Sequence, residues 1–471
     1  MLEYTIKLSD PKGDDAVKII IAGAGKVGHS VAALLAEEGH DITIIDQDPD
    51  TIQTLSNDLD VICVEGSATN PEILREAGAD KADLLLAATE KDEVNMVCGI
   101  SARKMGTAHV IARVRDPEYL HQTEFLREAL GLSVIVNPEY ECAKEISRTL
   151  RFPGAVRVDA FSKGSLEIVE HKIPAGGKLE GVALKEMFKL FGAKILVSLV
   201  ERGREAMIPN GDFILRAGDR LSITGQSGEL RRFFTAIGQY KRPVRRVMIM
   251  GGGRSSVYLT RILQDNGMDV TVVEKDRDRC EQLCDLIPQA HIVCGDATRS
   301  DVLQEDGLSA ADAFVALTGD DEDNIITSLF AKSRGVSNVV VKVNRDYLDD
   351  ILDNVGLSSI VSPKEIVSQQ LTRYVRAMSN SMGGSMETLY RLADGKVEAL
   401  EFKVSADSAC VNIPLKDLKL RPHVLICAII RGNKSIIPDG NTRILPGDHA
   451  VIVSAAGKLQ NIDAILGEES R

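Results

Sequence analysis

The sequence predicts an α/β fold in duplicate: two parallel-sheet domains, each followed by a smaller α+β domain. Three observations predict it. Short β-branched runs alternate with helical patterns in two separate stretches. A glycine-rich turn stands at the head of each stretch. The same motifs then recur at a near-constant offset through the chain.

The repeat is legible residue by residue. Segment 18–25 (KIIIAGAG) returns 228 positions later as 246–253 (RVMIMGGG), and Asp46 is matched by Glu274 at the same offset. Gly66–Thr69 (GSAT) matches Gly295–Thr298 (GDAT) at 229, as Thr89 matches Thr318 and Asn95 matches Asn324. Residues 136–138 (VNP) correspond to 361–363 (VSP). Residues 208–211 (IPNG), followed by Gly218-Asp219, correspond to 437–440 (IPDG), followed by Gly447-Asp448. Chance similarity of apolar strands produces one such match, not a series in register.

In the first stretch, strands are expected near 17–22, 41–46, 61–64, 83–88, 109–114 and 133–136. Helices fall between them, such as Lys26 to Glu38, stopped by Gly39. The alternation implies a parallel sheet covered on both faces. The second stretch repeats it from about 245 to 375. The smaller parts, 156–238 and 385–467, are strand-rich, with tight turns expected at Asn210-Gly211 and Asp439-Gly440. The expected domains are therefore 17–150, 155–239, 245–376 and 385–469, joined by linkers at 152–154, 241–246 and 379–385. The basic linker 241–246 reads as a solvated connection.

Composition excludes several classes. A net charge of −13 repels a phosphate backbone, and 4% aromatics with no Trp offers few stacking platforms, so no nucleic-acid partner is expected. Eight scattered cysteines without a CxxC pair suit reduced thiols and a cytoplasmic address. Cys280 and Cys284 lie i,i+4 on a helical pattern, a spacing that fits a buried helix face better than a metal site. No zinc spacing appears, and no metal is expected. The N-terminus lacks an apolar signal stretch, and no apolar run approaches the ~20 residues of a membrane span. A membrane role is then peripheral, through a partner.

Gly23-Ala24-Gly25-Lys26-Val27-Gly28 is a GxGxxG fingerprint between an apolar strand and an amphipathic helix, the context that a Rossmann-type dinucleotide site requires. Gly23 permits the turn, Gly25 lets amides approach a pyrophosphate at the helix N-terminus, and Gly28 allows close helix–strand packing. Asp46, ending the second strand, is placed to bind a ribose 2′-OH and to repel a 2′-phosphate, which favours NAD over NADP. Further contacts are expected at strand ends: Gly66 and Ser67 after the third strand, and Thr89 and Glu90 after the fourth. Arg113 ends the fifth, where a phosphate contact and a surface ion pair stand as alternatives. In the second copy, Gly251 and Gly253 persist, Glu274 keeps the ribose acid, and Thr318 follows the fourth strand. Ser256 stands where the third glycine belongs, Arg254 is placed to reach a phosphate, and Asp296 replaces Ser67. The residues leave binding and loss of binding both open for this copy. The eight histidines form no catalytic cluster along the chain, so no catalytic residues are assigned and an NAD-dependent oxidoreductase is the rival reading. A transcriptional repressor lacks its helix-turn-helix and has the wrong charge.

In its fingerprint, its GSAT and GDAT turns and its IPNG…GD domains, all in duplicate, the chain resembles the KTN/RCK family from about Val17 to Gly467. The resemblance implies cytosolic proteins, with RCK N-terminal and RCK C-terminal domains in tandem, that assemble as dimers or tetramers. They sit beneath a separate potassium-translocating membrane subunit. It implies that NAD+ or NADH, or else ATP or ADP, biases the assembly and so gates transport. An RCK regulator of another cation channel or antiporter is the alternative within the family. The resemblance also puts Gly23, Ala24, Gly25, Lys26, Val27, Asp46, Thr89, Glu90 and Arg113 at the first nucleotide site. About fifteen residues ahead of the first strand, Ser67 and Ser256 depart from the family pattern.

Overall fold

The computed structural model describes residues 16–467 except 121, 153–154, 162–163, 204, 240–242, 345–351, 353–354, 358, 380–385, 394, 433 and 456–458. The residues ahead of the first strand, most of the 152–154 and 379–385 linkers and the start of the 241–246 linker lie outside the described residues. The chain forms two compact units. One contains the residues up to Pro138 together with Lys364–Ser379, and the other contains Glu139–Pro363 and the residues from Asn380 onward.

The first unit is built on six parallel strands: β1 (Lys18–Ala22), β2 (Asp41–Asp46), β3 (Ile62–Glu65), β4 (Leu84–Ala87), β5 (His109–Arg113) and β6 (Val134–Val136). Their order is β3-β2-β1-β4-β5-β6, which places a switch point between β1 and β4. β1 is apolar on both sides because both faces are covered. Ile19 and Ile21 enter one core and Ile20 and Ala22 the other, following the period of two. Helix Asp92–Met105 covers the second face with Cys98 and Ala102. On the first face, Val27, Val31 and Leu35 of helix Lys26–Glu37 share their core with Val367, Leu371 and Val375. Those three lie four residues apart, one stripe of helix Pro363–Ser379. Arg376 on that helix donates to both carboxylate oxygens of Glu38, at 3.0 and 2.7 Å. Gly39 ends helix Lys26–Glu37 in the left-handed region, φ +86°, where its amide reaches the Ala36 carbonyl.

In the second unit, the sheet of β7 (Arg157–Phe161), β8 (Leu166–Lys172), β9 (Leu196–Arg202), β10 (Glu205–Met207) and β11 (Arg220–Gly225) is antiparallel, in the order β10-β9-β11-β8-β7. Another parallel sheet follows: β12 (Arg246–Met250), β13 (Asp269–Glu274), β14 (His291–Cys294), β15 (Ala313–Ala316), β16 (Asn338–Lys342) and β17 (Ser359–Val361). Its order, β14-β13-β12-β15-β16-β17, repeats that of the first. The last sheet, β18 (Met386–Leu392), β19 (Val397–Lys403), β20 (Val424–Arg431), β21 (Lys434–Ile436) and β22 (His449–Ser454), is antiparallel again. The two antiparallel sheets share an apolar cluster that joins Phe161, Ile168 and Leu199 to Leu392, Ala399 and Ala428.

Two helices are not covered by the sheet that precedes them in the chain. Helix Pro138–Leu150 falls almost wholly in the second unit, where Tyr140 meets Tyr258 edge to face at 5.4 Å. Helix Pro363–Ser379 falls in the first. The expected boundaries at 150 and 376 follow chain order and do not express this exchange, because an amphipathic stripe does not name the sheet that buries it.

The tight turn expected at Asn210-Gly211 forms. Phe213 N–H donates to the Asn210 carbonyl at 3.1 Å, but β11 pairs with β8 and β9, not β10, so the turn closes a loop and not a two-residue hairpin. The repeated Gly-Asp has a clear role. Asp219 takes two bonds from Arg202 at 2.8 Å, and Asp448 takes two from Arg431 at 2.9 and 2.8 Å. Burial works to raise the Asp219 pKa, yet the Arg202 guanidinium and the Arg216 amide hold it below the ordinary carboxylate range.

Candidate functional site

The first crevice opens at the carboxyl ends of β1, β2 and β4. Gly23 turns the chain at φ +101°, and a β-carbon there would lie 2.7 Å from the Thr89 amide nitrogen. A β-carbon on Gly28 would lie 1.9 Å from the Gly23 carbonyl oxygen, so that position demands glycine. Gly25 faces open space, with nothing within 4 Å of a β-carbon, and no side chain caps the helix it begins. The amides of that first turn are available to an anion. Lys26 is exposed beside them, and Val27 turns inward to the core.

Asp46 braces the loop: its Oδ2 accepts from Ala24 N–H at 2.6 Å and its Oδ1 from Asp48 N–H at 3.0 Å. Gly66 continues the rim, its amide on the Asp46 carbonyl at 2.8 Å, and Ser67 Oγ lies 2.9 Å from Thr69 Oγ1. Across the switch point, Thr89 is held by Asn95, whose Oδ1 accepts from both the Thr89 amide (2.8 Å) and its hydroxyl (2.7 Å). Asn95 also donates to the carbonyls of Thr89 and Arg113, which ties the ends of β4 and β5. Arg113 is buried and donates to the Thr89 carbonyl at 2.6 Å. Of the two alternatives for Arg113, the surface ion pair is corrected by this burial. Arg115, which sequence reasoning missed, donates to the Glu90 carbonyl and lies 3.6 Å from Asp92. Its signal was only its place, two residues beyond a strand-end cation. Glu90 itself is exposed.

The second crevice keeps the frame. Glu274 Oε2 accepts from Gly252 N–H at 2.6 Å, as Asp46 does from Ala24. Asn324 repeats the Asn95 staple on Thr318 and on the Lys342 carbonyl. The loop is looser than in the first copy: a β-carbon on Gly251 would lie 3.2 Å from the Thr318 nitrogen, against 2.7 Å for the equivalent pair Gly23 and Thr89. The Ser256 hydroxyl is buried with no hydrogen-bond partner among the described residues. A cavity of about 460 Å³, within the usual range for ligand pockets, is lined here by Gly251, Gly253, Glu274, Asp296 and Thr318 among others. Arg254 is exposed beside it. The charges have changed. Lys91, Arg115 and Ser67 of the first copy correspond to Asp320, Asn344 and Asp296. The Thr298 hydroxyl and amide hold Asp296 below the ordinary carboxylate range.

Elsewhere, His449 Nδ1 lies 2.9 Å from Glu387 and 3.2 Å from Glu401. The three atoms are mutually close enough to hold a metal ion, a cluster that sequence reading missed because it spans three strands. At the other helical pair, Cys280 is buried but Cys284 is exposed, which corrects the expectation of a shared buried face.

The family model for the TrkA-N domain matches residues 19–138 and 247–363, and that for the TrkA-C domain matches 168–238 and 399–467. A curated relative from Archaeoglobus fulgidus, a Trk system potassium uptake protein TrkA homolog, is 33% identical over 96% of this chain and 100% of its own length. The Trk system potassium uptake protein TrkA of Vibrio alginolyticus is 32% identical over 93% of this chain and 95% of its own. Among solved structures, the GsuK RCK domain shares the fold at TM-score 0.62 and 19% identity, covering 97% of this chain and 96% of that one. The GsuK channel bound to NAD does so at 0.61 and 18%, covering 94% and 77%. No helix among the described residues is long and apolar enough to cross a membrane.

Proposed function

The chain belongs to the TrkA family, as a tandem of TrkA-N and TrkA-C domains, and from that membership we propose that it is the nucleotide-sensing regulatory subunit of a Trk-type potassium uptake system. The first crevice takes NAD+ or NADH, with ATP or ADP as competing ligands. The pyrophosphate rests on the amides of Gly25, Lys26 and Val27, and the ribose on Asp46. Arg113 and Arg115 add positive charge at the far wall. The protein catalyses no reaction. It acts as a dimer or tetramer at the inner face of the membrane, bound to the potassium-translocating subunit. Ligand controls transport only to the extent that it binds one arrangement of the assembly more tightly than another.

The observation that carries this reading is the position of the Asp46 carboxylate, 2.6 Å from the second amide of a loop that tolerates no side chain at Gly28. Calorimetric titration of the full chain with NADH, NADPH and ATP tests it. NADH is expected to bind more tightly than NADPH, and Asp46→Ala to remove that preference. Equal affinities in the wild type refute the role of Asp46, and silence from all three refutes ligand gating. Loss of potassium uptake on deletion, restored by wild type and not by Asp46→Ala, tests the transport assignment.

A further inference from the structure

The second parallel sheet carries three cysteines that the first lacks. By the repeat, Cys280, Cys284 and Cys294 stand where the first copy has Ile52, Ser56 and Glu65. Two of them converge on one backbone oxygen. The Cys280 thiol, on helix Arg277–Leu286, donates to the Glu274 carbonyl at 3.3 Å. The same carbonyl accepts from the amide of Gly295, next to Cys294, at 2.9 Å. The β13–β14 register sets Cys294 directly beside Glu274, so both cysteines lie against the same peptide group. Cys280 is buried and Cys294 is exposed.

We infer that Cys294 and Cys280 form an oxidative modification site, with a peroxide as the oxidant and an intramolecular disulfide as the product. The division of labour follows from their surroundings. Burial pushes the Cys280 thiol up to about 12, so it stays protonated and inert toward peroxide. The exposed Cys294 reacts first. Its sulfur attacks one peroxide oxygen, the O–O bond breaks, the departing oxygen takes the Cys294 thiol proton and leaves as water, and Cys294 becomes a sulfenic acid. Cys280 sulfur then attacks the Cys294 sulfur. An S–S bond forms, the S–O bond breaks, and the hydroxyl leaves as a second water with the Cys280 proton. Two thiols are oxidised and one hydrogen peroxide is reduced.

The cross-link would sit on the wall of the second cavity. Glu274, Gly295 and Asp296 all line it, and the Cys280 bond to the Glu274 carbonyl would be lost.

The test is treatment of the full chain with hydrogen peroxide, followed by alkylation under denaturing conditions and peptide mapping. The expected result is a Cys280–Cys294 linked peptide, two fewer alkylatable thiols per chain, and full reversal by dithiothreitol. Cys284→Ser is expected to give the same linkage. Cys280→Ser is expected to stop at a sulfenic acid on Cys294, trapped by dimedone. Linkage of Cys294 to Cys284, sulfinic acid on Cys294 with Cys280 still reduced, or an unreacted Cys294 each overturns the assignment. None of these results depends on nucleotide binding at the first crevice.

Discussion

The two parallel sheets share strand order and backbone register, and they finish their crevices in opposite ways. In the first, Arg113 and Arg115 reach back over the strand ends, around a loop closed tightly at Gly23 and Gly28. In the second, the loop is looser, and Asp296, Asp320 and Asp323 line a cavity of about 460 Å³. The shared parts are those that position backbone: the acid on the loop amide and the Asn staple between adjacent strands. The divergent parts are side chains at strand ends, which bear little on folding and decide which ligand is tolerated. A duplicated scaffold can therefore keep its geometry while its two sites acquire different electrostatics.

The third fingerprint position breaks this comparison most severely. Gly28→Ser imposes on the first copy what the second already carries. With its β-carbon 1.9 Å from a carbonyl oxygen, it should lower unfolding free energy by about 2–3 kcal/mol and abolish NADH binding at that crevice, read by denaturant titration and calorimetry. Retained binding would show that a serine at this position does not by itself exclude NADH.

The acids come next. Asp46→Ala removes charge-assisted bonds to a ribose and should weaken NADH at the first crevice by about 1.5–3 kcal/mol, roughly 10- to 150-fold. Glu274→Ala should leave that isotherm unchanged; a matching loss would mean that the two sheets do not bind independently.

A smaller effect is expected at Ser256. Ser256→Ala deletes a buried hydroxyl that has no hydrogen-bond partner among the described residues and should raise stability by about 1 kcal/mol, seen as a higher midpoint at unchanged slope.

The smallest concerns Asp296. Asp296→Ser restores the residue of the first copy and should strengthen ADP binding to the second cavity by about 0.5–1 kcal/mol, in a salt-sensitive way. Because the Thr298 hydroxyl and amide lower the Asp296 pKa, its charge is in place above the ordinary 3.8 and is lost only as pH falls through the lower folded value. The wild-type and Asp296→Ser affinities should therefore differ in the same direction throughout about pH 5 to 8, the gap widening as the terminal phosphate of ADP gains its second charge near pH ~6. A gap that closes near neutral pH would rule out this carboxylate as its source.

The fold was largely legible because glycines and alternating apolar strands state backbone geometry directly. Gly23, Gly28 and Gly39 each sit where a side chain would clash or where φ is positive. The backbone frame of the first crevice was legible for the same reason. The exchange of helix Pro363–Ser379 was not, because Val367, Leu371 and Val375 mark a stripe and say nothing of its partner. Arg115 escaped notice because its role is to reach a backbone carbonyl, which no side-chain motif announces. The Cys294–Cys280 approach was hidden for a related reason: one cysteine lies on a strand and the other on the preceding helix, and only the shared Glu274 carbonyl brings them together.

The helix that pairs Arg376 with Glu38 has a practical corollary for anyone dividing this polypeptide. A product ending near residue 240 would be synthesised with Val31 and Leu35 lacking their cover, an uncovered greasy strip on an otherwise finished sheet. Such a fragment should be recovered as aggregates or as a swapped pair, and adding the C-terminal half in trans should rescue its solubility.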